Sequence, residues 1–213
     1  MSRIKDYTVL DLEMTGLAAK NNKIIEIGAA RIRGGQLRET YSMLINPHCN
    51  IEPIVSELTG ITDEMLADGQ EEDPCVSGLI SFIGDDIIVG HNVSFDYSFV
   101  KQWAVNHKVP LELKACDTLK MARALLPEEQ KKKLESLCEL FGIERIHAHR
   151  ALDDAIETWQ VYEKLADMAE NRRMPELLKA SPLKVHMKRQ TPATKYQMKQ
   201  LQEYIHIHQV VKV

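Results

Sequence analysis

The segment that most constrains this chain is a pair of β-prone runs joined by nothing but Gly34-Gly35. Residues 23–33 (KIIEIGAARIR) and 36–46 each read as a strand, and two glycines between such runs signal a tight hairpin. A strand over residues 4–12 precedes them, so the chain opens as an antiparallel meander. The pattern then changes. Residues 53–58 and 63–67 read as single helical turns. Residues 74–83 read as a helix with Asp73 as cap and Pro74 at its first position. A short buried strand over 86–90 (DIIVG), a helix over 94–106 and a last strand over 113–116 follow, then helices over 118–126, 133–141 and 150–170. Hairpin strands followed by β-α-β-α units predict an α/β fold, a mixed sheet flanked by helices.

The 213 residues suggest one full domain and a short appendage. No stretch approaches the roughly 18 apolar residues of a membrane helix, and the first residues lack the apolar region of a secretory signal. Cys49, Cys75, Cys116 and Cys138 are far apart with no C-x-x-C pair, which argues against a zinc ribbon or a disulfide framework. A reducing cytoplasm is the simplest location.

Charge divides the chain. Residues 172–213 hold nine Lys/Arg against two Asp/Glu, a net +7, whereas residues 1–171 hold 18 against 29, a net −11. An acidic body suits nucleic-acid chemistry if several acids hold divalent cations, with the tail attracting phosphates. The alternative is a solubilising tail. Pro175, Pro182 and Pro192 mark 172–192 as a linker. Thr191-Pro192 then reads as the start of a helix with Met198, Leu201, Ile205 and His208 on one face. The expected units are therefore a domain over 1–171, a linker over 172–192 and a basic helix over 193–213.

Three constellations carry chemistry. In Asp11-Leu12-Glu13-Met14-Thr15-Gly16 the period of a strand puts Asp11 and Glu13 on one side. Paired carboxylates repel unless a cation lies between them. A solvated acidic strand end is the alternative, but apolar Tyr7, Val9 and Leu10 mark a central strand. In Gly90-His91-Asn92-Val93-Ser94-Phe95-Asp96 a buried strand runs through a loop into a helix whose first turn holds Asp96, a position the helix dipole favours with or without a ligand. In His149-Arg150-Ala151-Leu152-Asp153-Asp154-Ala155 the helical wheel separates the aspartates. Ala151, Ala155, Thr158, Trp159, Tyr162, Leu165 and Ala166 form the core stripe; Asp154 lies at its edge and Asp153 nearly opposite. Small Ala151 and Ala155 let that helix approach the sheet. His149 sits in a loop that can reach the same cleft.

Together these residues resemble the three motifs of the DEDDh exonucleases, the group of the proofreading epsilon subunit of bacterial DNA polymerase III, ribonuclease T and oligoribonuclease. The resemblance covers about residues 5–170 in the family's order. It implies a ribonuclease-H-like fold with a mixed five-stranded sheet, here with a C-terminal helical extension. It implies that Asp11, Glu13, Asp96 and Asp154 hold two divalent ions, Mg²⁺ or Mn²⁺, and that His149 is the general base. Leu58, Thr59, Gly60 and Ile61 resemble the segment lining the family's substrate groove, and Met14, Thr15, Gly16, Asn92 and Phe95 are further expected substrate contacts. Met14 stands where many members have threonine but oligoribonuclease-like members also carry methionine, which leaves DNA against short RNA open.

The implied function is 3′–5′ hydrolysis of single-stranded DNA ends, of proofreading or repair type. The alternatives are an exoribonuclease trimming RNA ends or short oligoribonucleotides, and a module that docks a polymerase or clamp, or a second copy, through the C-terminal helix. Glu26, beside the site, is expected to be a structural partner and not a fifth ligand.

Overall fold

Tyr7-Thr8-Val9, Ile24, Ile25, Ile27 and Ile32 favour extended backbone, and the opening segment forms β1 (Tyr7–Met14), β2 (Ile24–Arg33) and β3 (Gln36–Leu44). The computed structural model describes residues 3–145, 149–184 and 211–212. Gly34 and Gly35 close the hairpin with φ of +61° and +78°, the two positive values a type I′ turn needs.

α1 (Pro53–Thr59), α2 (Asp63–Ala67) and α3 (Glu72–Ile83) follow. α3 begins earlier than the sequence suggests. Glu71 is its cap and Pro74 its third residue, not its first; the first four N–H groups of a helix have no internal partner, so proline costs no bond there. Then come β4 (Ile88–Gly90), α4 (Ser94–Asn106), β5 (Glu112–Asp117), α5 (Thr118–Leu125), α6 (Leu134–Phe141) and α7 (Ala151–Asn171).

β1 pairs antiparallel with β2 and parallel with β4; β2 pairs antiparallel with β3, and β4 parallel with β5. These five strands are the expected mixed sheet. Two more lie at its edges, β6 (Ser181–Lys184) on β5 and β7 (Val211–Lys212) on β3, giving the order β6-β5-β4-β1-β2-β3-β7. The described part of the expected linker is thus docked. A 3₁₀ turn, Pro175–Leu178, buries Leu178, and Ser181–Lys184 joins the sheet. Pro182 is tolerated because β6 is an edge strand. Most of the expected C-terminal helix lies outside the described residues, but Val211 and Lys212 are extended and not helical.

The period of two along β1 sorts its side chains. Leu10, Leu12 and Met14 face α3 and α4, packing with Leu79, Phe82, Val100 and Trp103. Tyr7 and Val9 face the other layer, with Met121 of α5, Leu137 of α6 and Ala155, Tyr162 and Leu165 of α7. Tyr7 meets Tyr162 edge-on at 5.0 Å, and its hydroxyl donates to Glu163 Oε1 at 2.7 Å. Ile24, Ile25, Ile27, Ile88 and Val89 are buried, while Ile4 and Ile87 are half-buried. Each full burial contributes roughly 1.5–3 kcal/mol, so β1 and its neighbours anchor the site that continues from them.

Candidate active site

The α7-facing side of β1 reads Tyr7, Val9, Asp11, Glu13: apolar where α7 covers it, acidic where the strand outruns its parallel neighbour. β4 pairs with β1 only at Thr8 and Val9 and stops at Gly90. Beyond that point β1 lacks a partner on one side, and a crevice opens at the carboxyl ends of parallel strands, where open α/β sheets place their ligand sites.

Asp96 enters this crevice from the first turn of α4. It is buried, and its Oδ1 accepts the Leu12 N–H at 3.1 Å, a donor that a longer β4 would otherwise satisfy. The loop leading to α4 is held by Asp117, the last residue of β5. Asp117 Oδ1 accepts from Asn92 N at 3.1 Å and caps α5 by accepting from Leu119 N at 2.9 Å. His91 Nδ1 lies 2.9 Å from Thr118 Oγ1. The left-handed turn at Asn92, φ +61°, suits asparagine better than most residues. The sequence reading missed Asp117; the signal was an acid directly before the Thr118 helix, a capping pattern.

α7 brings the remaining groups, and two neighbours of Asp11 and Glu13 on β2 explain its position. Gly28 stands opposite Asp11, and a Cβ there would lie 2.1 Å from the carbonyl carbon of Ala151. Only glycine lets the start of α7 come so close. Glu26 stands opposite Glu13, a like-charge cross-strand pair that destabilises unless compensated. Compensation comes from α7: Glu26 Oε2 accepts from Ala151 N at 2.9 Å, and Arg150 donates to Oε1 from Nη2 at 2.8 Å and Nε at 3.1 Å. Arg150, the residue before α7, makes no side-chain cap of its own, so Glu26 caps this helix from another strand. It is the structural partner the sequence suggested.

Seated in this way, α7 points Asp154, only 6% exposed, into the crevice, while Asp153 is half-buried and not fully solvated as the wheel alone suggests. Ligand atoms of Glu13, His149 and Asp154 lie within 4.8 Å of one another. His149 has φ +60°, a conformation that surrounding structure must impose on a non-glycine residue. Burial raises the Asp11 carboxyl well above the usual range, and the charges of Asp96, Asp154, Glu13 and Glu26 raise it further. Burial, then Asp154, Glu26 and Asp96, pushes Glu13 up to about 8; burial raises Asp96 also. The five residues singled out from the sequence therefore surround one anionic crevice. Hard oxygen donors at this charge density fit Mg²⁺ or Mn²⁺ better than zinc, and a cation would relieve the repulsion that now favours protonation.

The expected substrate contacts divide. Leu58 and Gly60 are exposed, with Leu58 at 55%, and Ile54, one turn earlier on α1, is 68% exposed. Thr59 and Ile61 are buried: Thr59 Oγ1 donates to Val55 O and accepts from Ile61 N. Thr15 Oγ1 accepts from Lys23 N at 3.0 Å and donates to Asn22 Oδ1 at 3.3 Å, closing the loop in which Gly16 stands against Asn22. Leu17 beyond it is 84% exposed. Asn92 is exposed, and half-buried Phe95 packs edge-on against Phe99. Met14 is buried on the face opposite Asp11 and Glu13, in the core with Leu12. Of the charged run 131–133, Lys132 folds back to donate to Pro127 O and Gln130 O.

Comparison with known proteins agrees with this geometry. Residues 8–162 match the RNase_T exonuclease family. The PolC-type DNA polymerase III of Bacillus subtilis is 38% identical over 170 residues, 77% of this chain and 12% of that protein. The Thermotoga maritima PolC-type enzyme is 38% identical over 179 residues, 84% of this chain and 13% of that protein. The chain thus spans about an eighth of the length of these curated relatives. In fold it resembles the nuclease domain of 3′hExo, a DEDDh family member bound to rAMP (TM-score 0.66, 15% identity, 83% of this chain and 96% of that one). It also resembles Exonuclease X in complex with 5′ overhanging duplex DNA (TM-score 0.61, 24% identity, 81% and 99%). E. coli Exonuclease I in complex with a dT13 oligonucleotide is a further likeness (TM-score 0.66, 20% identity, 80% and 43%). Among the described residues no helix is long and apolar enough to cross a membrane. The chain belongs to the RNase_T exonuclease family, and its fold is like that of the DEDDh nuclease domain of 3′hExo.

Proposed function

We propose that this chain removes nucleotides from the 3′ end of single-stranded DNA, using two divalent ions held by Asp11, Glu13, Asp96 and Asp154, in the service of a DNA polymerase. The observation that carries the reading is the carboxylate crevice itself, whose members raise one another's proton affinity until a cation compensates them. Asp11, Glu13, Asp96 and Asp154 would hold Mg²⁺ or Mn²⁺, which would supply Lewis-acid charge at the scissile phosphate. The chain's own groups do the rest. The four carboxylates fix the cation positions. His149 accepts the proton of the attacking water as general base. Leu58 and Gly60 on one side, and Thr15, Gly16, Asn92 and Phe95 on the other, receive the terminal nucleotide. Thr59, Ile61 and Met14 support these surfaces from within.

DNA is preferred over RNA because the 38%-identical relatives are DNA polymerases, in which a strand-trimming activity has an evident use. Trimming of RNA ends or short oligoribonucleotides is the second reading, favoured by Met14 at the position where oligoribonuclease-like members carry methionine. Digestion of 5′-labelled single-stranded DNA and RNA of one sequence, with Mg²⁺ and with EDTA, tests both. The expected result is a Mg²⁺-dependent ladder shortening from the 3′ end, faster on DNA. A ladder on RNA alone overturns the substrate assignment, and activity undiminished by EDTA overturns the metal reading.

A further inference from the structure

Arg145 stands in the loop after α6 and reaches α7 with two donors at once. Its Nη2 donates to Asp154 Oδ1 at 2.7 Å and its Nε to Glu157 Oε2 at 2.7 Å. Glu157 follows Asp154 by one turn on the same helix face. It is 3% exposed, its only ion-pair partner among the described residues is Arg145, and its Oε1 has no hydrogen-bond partner. Folding alone gives no reason for a carboxylate at this depth, since an apolar side chain of similar size avoids the desolvation. The arrangement makes sense through what it does to Asp154. Glu157 neutralises the guanidinium and fixes its plane, and the rigid fork then presents a directed N–H to one oxygen of Asp154. A carboxylate has about four lone-pair sites, so this bond leaves acceptor capacity for a cation. Arg145 and Glu157 touch none of the other site acids through any hydrogen bond among the described residues.

We propose that Arg145, braced by the buried Glu157, is a positioning residue that fixes the Asp154 carboxylate in the orientation in which it takes a divalent cation. The inference rests on the reading of Asp154 as a metal ligand. Groups that hold a ligating carboxylate by hydrogen bonds typically change metal affinity about 10- to 100-fold when removed.

The test is calorimetric titration of Mn²⁺ into the full chain, after thermal melting has established that each variant is folded. Arg145→Ala alone strands Glu157 as a buried unpaired charge and risks unfolding. The paired variant Arg145→Met with Glu157→Gln removes both charges together and keeps the volume. Its Mn²⁺ dissociation constant should rise about 10- to 100-fold while the melt remains close to that of the wild type. Arg145→Lys keeps the charge and loses the fork. Positioning requires weakened binding there too, whereas a purely electrostatic role leaves wild-type affinity and overturns the inference. Unchanged affinity in the folded double variant overturns it as well. A wild-type chain that binds no Mn²⁺ refutes instead the ligand reading on which the inference stands.

Discussion

Replacing Gly28 by alanine tests the site where its construction is tightest. The added Cβ would lie 2.1 Å from the carbonyl carbon of Ala151 and 2.2 Å from both its oxygen and the Leu152 nitrogen, where ordinary contact begins at 3.4 Å. All three obstacles are backbone atoms, so no rotamer change relieves them. The first turn of α7 must retreat by about 1.3 Å to restore contact at ordinary separation. That retreat stretches the 2.9 Å bond from Ala151 N to Glu26 Oε2 beyond hydrogen-bonding range and withdraws Asp154 and His149 from Asp11. Overpacking of this kind costs roughly 1–3 kcal/mol, and the lost cap about 1 kcal/mol more. A displacement of about 1 Å in a catalytic constellation costs about 10²-fold in rate. The Gly28→Ala chain should therefore remain folded with a lowered melting temperature, and cleave a labelled oligonucleotide about two orders of magnitude more slowly. Gly34→Ala is the control. Nothing lies within 4 Å of its Cβ and its φ is +61°, so it should cost about 1–2 kcal/mol of stability and leave turnover per folded molecule unchanged. A folded Gly28→Ala chain with wild-type turnover would refute the argument that α7 is seated by contact with β2.

Three further outcomes follow from the site. Asp154→Ala should abolish cleavage while Asp153→Ala largely keeps it; equal loss in two folded variants would overturn the distinction between a residue buried in the crevice and one half-buried outside it. His149→Ala should lower turnover by roughly 10²- to 10⁴-fold, the usual worth of a general base, and leave Mn²⁺ affinity nearly intact; lost affinity in the titration would make His149 a ligand. Glu13, raised from 4.5 to about 8, contributes stability that is complete below its unfolded value and lost as pH rises through the folded one. Raised Asp11 and Asp96 act in the same direction. The melting temperature of metal-free protein should thus fall between about pH 5 and pH 8, and Mn²⁺ should reverse the trend while displacing protons; a melt that rises over this range without metal contradicts the electrostatic account.

The parts of this structure legible in the sequence are those written in local periodicity. A period of two placed Asp11 and Glu13 together on β1, and a period of 3.6 turned Asp154 inward on α7. The bounds of α2 and α4 match those expected from the sequence, and at α2 the Thr62 side chain caps the start by accepting from Met65 N. What was not legible depends on residues distant in the chain. Glu26 caps a helix 125 positions later, and no local pattern announces a cap borrowed from another strand. Gly28 looks like a weak point in an isoleucine-rich strand until α7 is seen against it. The Arg145–Glu157 pair reads as two surface charges until Glu157 is found inside. Within the proline-rich stretch, Ser181–Lys184 pairs with β5, and no local signal announced this because proline is admissible on an outermost strand.

That outermost strand has a practical bearing on where this nuclease can be cut. A fragment ending at Asn171 keeps every acid and the histidine of the crevice, yet it uncovers the ladder that Leu113 and Ala115 share with Leu183 and Ser181. It also removes Leu178, whose carbonyl oxygen lies 3.9 Å from the Cys116 sulfur. Bare backbone along a strand edge recruits foreign chains. A version extending through Lys184 should keep this edge covered, whereas the one ending at Asn171 should cleave nucleic acid in dilute solution while clumping as it is concentrated.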